Sequence, residues 1–321
     1  MTNNQVKQLY SKGSELMSLG KLSEALNYFR EAVEADPSCM EAHIELGFLL
    51  GTLEKYDEAV KIFDHALDIE DNFPCFFGKG LAHFFLEDYE KSLEAFLDAQ
   101  EIGENEDLWY YLGNLHLSYS ENCEGAINCF EIALSMDENY IEAWNDCGVA
   151  YSIMENDERA LESFKEALNI DANYIPAIYN MGATLADMGR YEESLEYLDI
   201  ILEIEPDNFK ALFYKGNVLY FMEKEEESLK YFTKALKKDK NQPDLWNYVG
   251  YIQNSLGQNH EAIESFKEAI NLRPDDENNY LSLGTVHMDL GDTEKASECF
   301  KKVLEIDPEN EEAQFYMEKI D

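Results

Sequence analysis

Glycine recurs along this chain at Gly13, Gly47, Gly80, Gly113, Gly148, Gly182, Gly216, Gly250 and Gly284, at intervals of 33 to 35 residues. Such a period restricts the fold more than any composition does, because self-similarity at 20–50 residues marks a stack of identical supersecondary units. Several of these glycines sit inside helix-like runs, as Gly216 does in FYKGNVLYF. A glycine there is unfavourable by about 1 kcal/mol relative to alanine, so packing has to require it. The rest of the period supplies the reason. Sixteen residues after nearly every glycine stands an aromatic: Phe29, Phe63, Phe96, Phe164, Phe232, Phe266 and Phe300, with Phe130 one residue late and Leu198 the substitution. Small residues fill a further position twelve after the glycine (Ala25, Ala59, Ser92, Ala160, Ser194, Ser228, Ala262, Ala296).

Apolar residues between these markers recur at three- and four-residue spacing, the signature of amphipathic helices. All seven prolines fall at repeat junctions, where a missing N–H is tolerated. Gly20, Gly189, Gly257 and Gly291 mark turns within four repeats. Each unit therefore reads as a hairpin of a helix A and a helix B. The central glycine lets the two approach, and the aromatic fills the hole between neighbouring units.

The pattern Trp144, Gly148, Tyr151, Ala160, Phe164, Ala167 closely resembles the tetratricopeptide repeat, and the likeness extends over residues 6–310. It implies an all-α fold: a right-handed superhelical α-α solenoid forming one array over 1–321. The nine repeats are placed at 6–39, 40–72, 73–105, 106–140, 141–174, 175–208, 209–242, 243–276 and 277–310, with a capping helix at 311–321. Family resemblance also implies a concave groove lined by A helices that binds a peptide or protein segment. Transferred position by position, it nominates Tyr110, Asn114, Asn145, Tyr179, Asn180, Lys210, Phe213, Asn217, Tyr220, Asn247 and Tyr251 as groove residues. Asparagine carries a donor and an acceptor and can pair with a peptide backbone whatever its side chains. Aromatics supply contact area at small entropic loss. In the third repeat, Phe76, Phe77, Leu81, Phe84 and Phe85 form an apolar patch suited to a hydrophobic helix or to local core. Chaperone adaptors of this family hold a carboxylate with a basic clamp. Here only Asn180 and Lys210 match it, and Asn145, Val149 and Tyr214 take the other places, so that role is disfavoured.

Net charge is −42. A surface this acidic repels nucleic-acid phosphates and anionic headgroups, so neither is an expected partner. Repeats two to six carry −7, −5, −7, −6 and −7, whereas repeat seven is +3, with Lys230, Lys234, Lys237, Lys238 and Lys240 on its second half. A protein partner of basic or mixed charge fits the acidic repeats. Head-to-tail self-assembly onto repeat seven, giving a homo-oligomer, is one alternative, and a regulatory subunit of an enzyme such as a glycosyltransferase is another. The opening MTNNQVKQLYSKG lacks the apolar core of a signal peptide, and the six cysteines show no C-x-x-C spacing, so a cytoplasmic location is expected. No phosphate-binding, nucleophile-elbow or H-E-x-x-H motif occurs. The expected protein is no enzyme and uses no cofactor or metal.

Overall fold

The computed structural model describes residues 3–320, which contain nineteen α-helices and no strand. They fall into two compact units, Met1–Ala172 and Asn173–Asp321. In the first, five hairpins pair α1 (Asn3–Ser18) with α2 (Leu22–Ala35), α3 (Met40–Thr52) with α4 (Tyr56–Leu67), α5 (Phe73–Phe85) with α6 (Tyr89–Ile102), α7 (Glu106–Ser118) with α8 (Cys123–Met136), and α9 (Ile141–Ile153) with α10 (Asp157–Ile170). In the second, four hairpins pair α11 (Ile175–Asp187) with α12 (Tyr191–Ile204), α13 (Phe209–Phe221) with α14 (Glu225–Lys238), α15 (Pro243–Ser255) with α16 (Asn259–Leu272), and α17 (Glu277–Asp289) with α18 (Thr293–Ile306). The final helix, α19 (Glu311–Ile320), covers α18: Tyr316 stacks on Phe300 at 4.9 Å and Ala313 is buried. It closes the apolar end of its unit as a capping helix must.

Each unit builds its core on phenylalanines, Phe29, Phe63, Phe96, Phe130 and Phe164 in the first and Phe232, Phe266 and Phe300 in the second, each under 2% exposed. Burying one such ring is worth roughly 1.5–3 kcal/mol. Each lies against the glycine of its own hairpin, leaving no room for a Cβ: one added to Gly148, Gly216 or Gly284 would come within 2.5–2.6 Å of the ring. Gly182 is the exception. Its partner is Leu198, and a Cβ there would find its nearest neighbour at 3.5 Å.

Serine at the small position does more than save space. The hydroxyls of Ser92, Ser194 and Ser228 are fully buried and donate to the carbonyls of Gly80, Gly182 and Gly216 at 2.8, 2.6 and 2.7 Å. The buried hydroxyl is thereby satisfied, as it must be to avoid a desolvation penalty. Helix starts are set by asparagine caps such as Asn72, whose Oδ1 accepts from the Cys75 N–H at 3.0 Å, and Asn105, which accepts from Leu108 at 2.9 Å.

The A–B turns contain a feature that the glycine count only half displays. Gly20, Gly189, Gly257 and Gly291 have φ of 72–75°, and in the other five repeats Glu54, Glu87, Glu121, Glu155 and Glu223 occupy the same left-handed region at 49–60°. In α3 the Glu54 N–H donates to Gly51 O at 2.9 Å and the Lys55 N–H to Leu50 O at 2.8 Å. This is the Schellman closure that ends a helix on a left-handed residue.

Candidate functional site

The A helices carry the residues that family resemblance nominates, and the two units use them differently. In the first unit, Tyr110 and Asn114 on α7 meet Asn145 on α9 around Asp146. The Tyr110 hydroxyl donates to Asp146 Oδ2 at 2.8 Å, Asn145 Nδ2 donates to Oδ1 at 2.9 Å, and Asn114 Nδ2 donates to the Tyr110 carbonyl at 3.2 Å. Asn145 is only 6% exposed. Beside them the Tyr140 hydroxyl donates to Asp107 at 2.8 Å, and its ring lies 4.9 Å from that of Tyr110. Burial raises the Asp146 carboxyl above the ordinary aspartate range, partly opposed by these hydrogen bonds. Burial, with Asp146 beside it, likewise raises the Tyr110 phenol. These three nominated residues are thus committed to one another and to Asp146.

In the second unit the A helices leave polar groups open. On α13, Asn217 is half-buried with its amide unengaged among the described residues, flanked by the partly buried Phe213 and by Tyr220, which is 37% exposed. Phe213 packs on Phe232 at 5.8 Å and Tyr214 at 5.6 Å, so its inner edge belongs to the core. Tyr179 meets Tyr214 edge-on at 5.0 Å, and burial raises its phenol above the ordinary tyrosine value. The exposed Lys210 lies 5.9 Å over the Tyr179 ring, and Asn180 beside it is half-buried.

On α15 and α17 the arrangement is a polar ladder. Asn247 Nδ2 donates to Asn279 Oδ1 at 2.6 Å, and Ser282 Oγ reaches the Tyr251 hydroxyl at 2.7 Å. Tyr251 remains 48% exposed. Two buried polar atoms in this ladder have no partner: Asn279 Nδ2, a donor, and Asn254 Oδ1, an acceptor. Each missing bond leaves a desolvated group at about 1–3 kcal/mol, so such atoms call for an explanation. Asn254 holds a groove position by family resemblance, whereas Asn279 was not among the residues nominated from sequence. Its signal, an asparagine facing Asn247 from the adjacent A helix, appears only when α15 and α17 are set side by side.

The lysines of repeat seven are less free than their count suggests. Lys215, 7% exposed, pairs with Asp199, and Tyr231 lies 4.7 Å beneath it. Lys238 reaches Asp207 at 2.5 Å. Lys234 also lies over Tyr231, at 5.2 Å.

Among α8, α9 and α10 of the first unit lies an open cleft of about 1290 Å³ that sequence reading did not anticipate. It is lined in part by Trp144, Tyr151 and Arg159, the guanidinium standing 5.5 Å over the Tyr151 ring. Burial lifts the Cys75, Cys129 and Cys299 thiols to about 11 and Cys147 to about 12, which keeps them protonated and poorly nucleophilic. Among the described residues no group of three or more His, Cys, Asp or Glu side chains is placed to hold a metal, and no helix is long and apolar enough to cross a membrane.

Comparison with known proteins agrees with this architecture. Residues 10–74 and 154–215 each match a model of the tetratricopeptide repeat. Residues 251–321 match the family described as regulator of microtubule dynamics proteins 1–3, over the last part of the chain alone. An uncharacterised protein of Methanocaldococcus jannaschii is 34% identical over 61 residues, which is 19% of this chain and 71% of that protein. Among solved structures, PilF of Pseudomonas aeruginosa aligns with a TM-score of 0.56 and 20% identity, covering 67% of this chain and 97% of its own. MamA from Desulfovibrio magneticus RS-1 aligns with a TM-score of 0.50 and 23% identity, covering 53% and 97%. At these identities the two structures show the shared fold.

Proposed function

We propose that this chain, which belongs to the tetratricopeptide repeat proteins and is a protein-interaction scaffold, holds an extended peptide segment against the A helices of repeats seven to nine. The observation that carries this reading is the amide of Asn217 on α13, half-buried and unengaged among the described residues. An amide both donates and accepts, so it complements the carbonyl and the N–H of a peptide backbone. The orphaned atoms of Asn279 and Asn254 are buried and closed to a ligand, and form no part of that contact.

Tyr220 on α13 and Tyr251 on α15 supply exposed rings for the same segment. Backbone recognition of this kind tolerates varied side chains, which suits a scaffold. Self-assembly through repeat seven draws less support, because Lys238 of its lysine cluster already pairs with Asp207 and Lys234 lies over the Tyr231 ring.

The reading is tested by backbone chemistry. A peptide selected on the full chain from a displayed random library is resynthesised with each amide N-methylated in turn. Loss of binding at one or two adjacent amides, with tolerance elsewhere, is the expected pattern. Uniform tolerance rules out a backbone contact.

A further inference from the structure

In the first unit, one repeat omits a side chain that every other repeat carries. The position four residues after the repeat glycine holds Met17, Phe84, Leu117, Tyr220, Asn254 and Met288 in six repeats and the small Ser152 and Ala186 in two, but glycine, Gly51, in the second. Gly51 is helical with an ordinary φ, and a Cβ added to it would meet nothing within 4 Å. Neither turn geometry nor packing therefore requires a glycine. The absence leaves a cleft of about 360 Å³ between α3 and α5, within the roughly 300–1,000 Å³ typical of pockets that bury a ligand.

Its walls are apolar. The buried Phe63 forms the floor, and Phe48 and Leu81 line the sides. Tyr56 and Phe85 stack at 5.3 Å across one end, Phe85 remaining 49% exposed. The rim is acidic. Glu54, held in the left-handed region at φ 58°, lines the opening, and Glu87 and Glu121 take the same turn position in the next two repeats. Lys55, next to Glu54 in sequence, lies 3.9 Å from Glu58, which Arg30 already engages at 2.5 Å. Repeats two to four together carry far more acid than base, at −7, −5 and −7.

We infer that this cleft receives a bulky apolar side chain from a lysine- or arginine-rich segment of a partner protein. The apolar group takes the place of the side chain that Gly51 lacks, and the neighbouring cations face Glu54 and the acidic turns. Apolar burial supplies affinity, and the charge selects the segment that carries it. The site is separate from the peptide face of repeats seven to nine, and the inference stands without it.

The test uses the full chain and three dye-labelled octapeptides read by fluorescence anisotropy. One is Gly-Lys-Lys-Phe-Leu-Lys-Lys-Gly; the second replaces Phe-Leu by Ser-Ser, and the third replaces every lysine by glutamate. The first is expected to bind at least tenfold more tightly than either other peptide. Gly51→Leu fills the cleft from within and is expected to weaken that binding at least tenfold without lowering the melting temperature. Gly51→Ala, which adds one methyl, should bind within threefold of wild type and melt no lower, and Glu54→Gln should weaken binding two- to fivefold. Glu318→Gln, at an exposed carboxylate on α19 of the other unit, leaves binding of this peptide unchanged. Equal binding by wild type and Gly51→Leu overturns the proposal, as does equal binding of the serine or glutamate peptide. Light scattering that shows a dimer broken by Gly51→Leu also overturns it, by making a second copy the occupant.

Discussion

A Cβ placed on Gly216 would lie 2.5 Å from Cδ1 of Phe232, sixteen residues later in the same hairpin. That distance accounts for the repeat glycine and separates it from Gly182, whose neighbour is the smaller Leu198. Gly216→Ala therefore forces either the ring or the helix to move and should destabilise by about 1–3 kcal/mol, the usual range for overpacking. Gly182→Ala gains helix propensity without a clash and should be neutral or stabilising by up to about 1 kcal/mol. Urea unfolding of the two variants is the check. Equal effects in both would mean that the glycine–phenylalanine contact is not what fixes the repeat.

The five glutamates with positive φ make a second prediction. A left-handed conformation is unfavourable by roughly 1–2 kcal/mol for a residue with a Cβ, and Glu223 adopts it at φ 59° where Gly257 does so at 74° in the next repeat. Glu223→Gly should raise stability by about 1 kcal/mol, and Gly257→Glu should lower it by a similar amount. Thermal melts at neutral pH and moderate salt measure both, with Glu223→Gln as the control for the lost charge. A Glu223→Gln variant as stable as Glu223→Gly would assign the effect to charge instead of backbone.

Histidine gives the pH dependence. Burial holds His83 and His287 below the ordinary histidine pKa. Asp88 and Asp64 near His83, and Asp292 and Glu298 near His287, pull the other way, while Lys91 and Lys79, and Lys295 and Lys267, add to the lowering. With the folded value below the unfolded one, the unfolded chain takes up protons first. Stability is therefore lost as pH falls below the unfolded histidine value of about 6.5. Gln253 already occupies this position in the eighth repeat, so His83→Gln with His287→Gln should fold and lose less stability than wild type between pH 7.5 and 5.5. Parallel pH profiles would remove the two histidines from the account.

The hairpins were legible from sequence because a single contact, glycine against phenylalanine, repeats at a fixed offset and leaves its mark in residue type. The serine-to-glycine-carbonyl bonds were half legible: Ser228 reads as small, but its hydroxyl finds the Gly216 carbonyl only once the helices pack. The glutamates at left-handed turns were hidden, since glutamate has no preference for that conformation and Glu155 reads only as surface charge. At the candidate site, resemblance pointed to Asn145 and Asn217 alike. One is buried against Asp146 and the other has an open amide. What distinguishes them is the residue on the neighbouring helix, and a repeat pattern does not carry that information.

The central claim, that the A helices of repeats seven to nine hold a peptide backbone, is tested most directly by one dissociation constant measured across four proteins. Titration calorimetry of a library-selected peptide is run against wild type, Asn217→Ala, Tyr220→Ala and Asn247→Ala, each first shown to melt like wild type. Asn247→Ala and Asn217→Ala are expected to weaken binding at least tenfold by removing amide partners, and Tyr220→Ala several-fold by removing contact area. A dissociation constant unchanged in all three variants would contradict the claim and move the binding face elsewhere on the array.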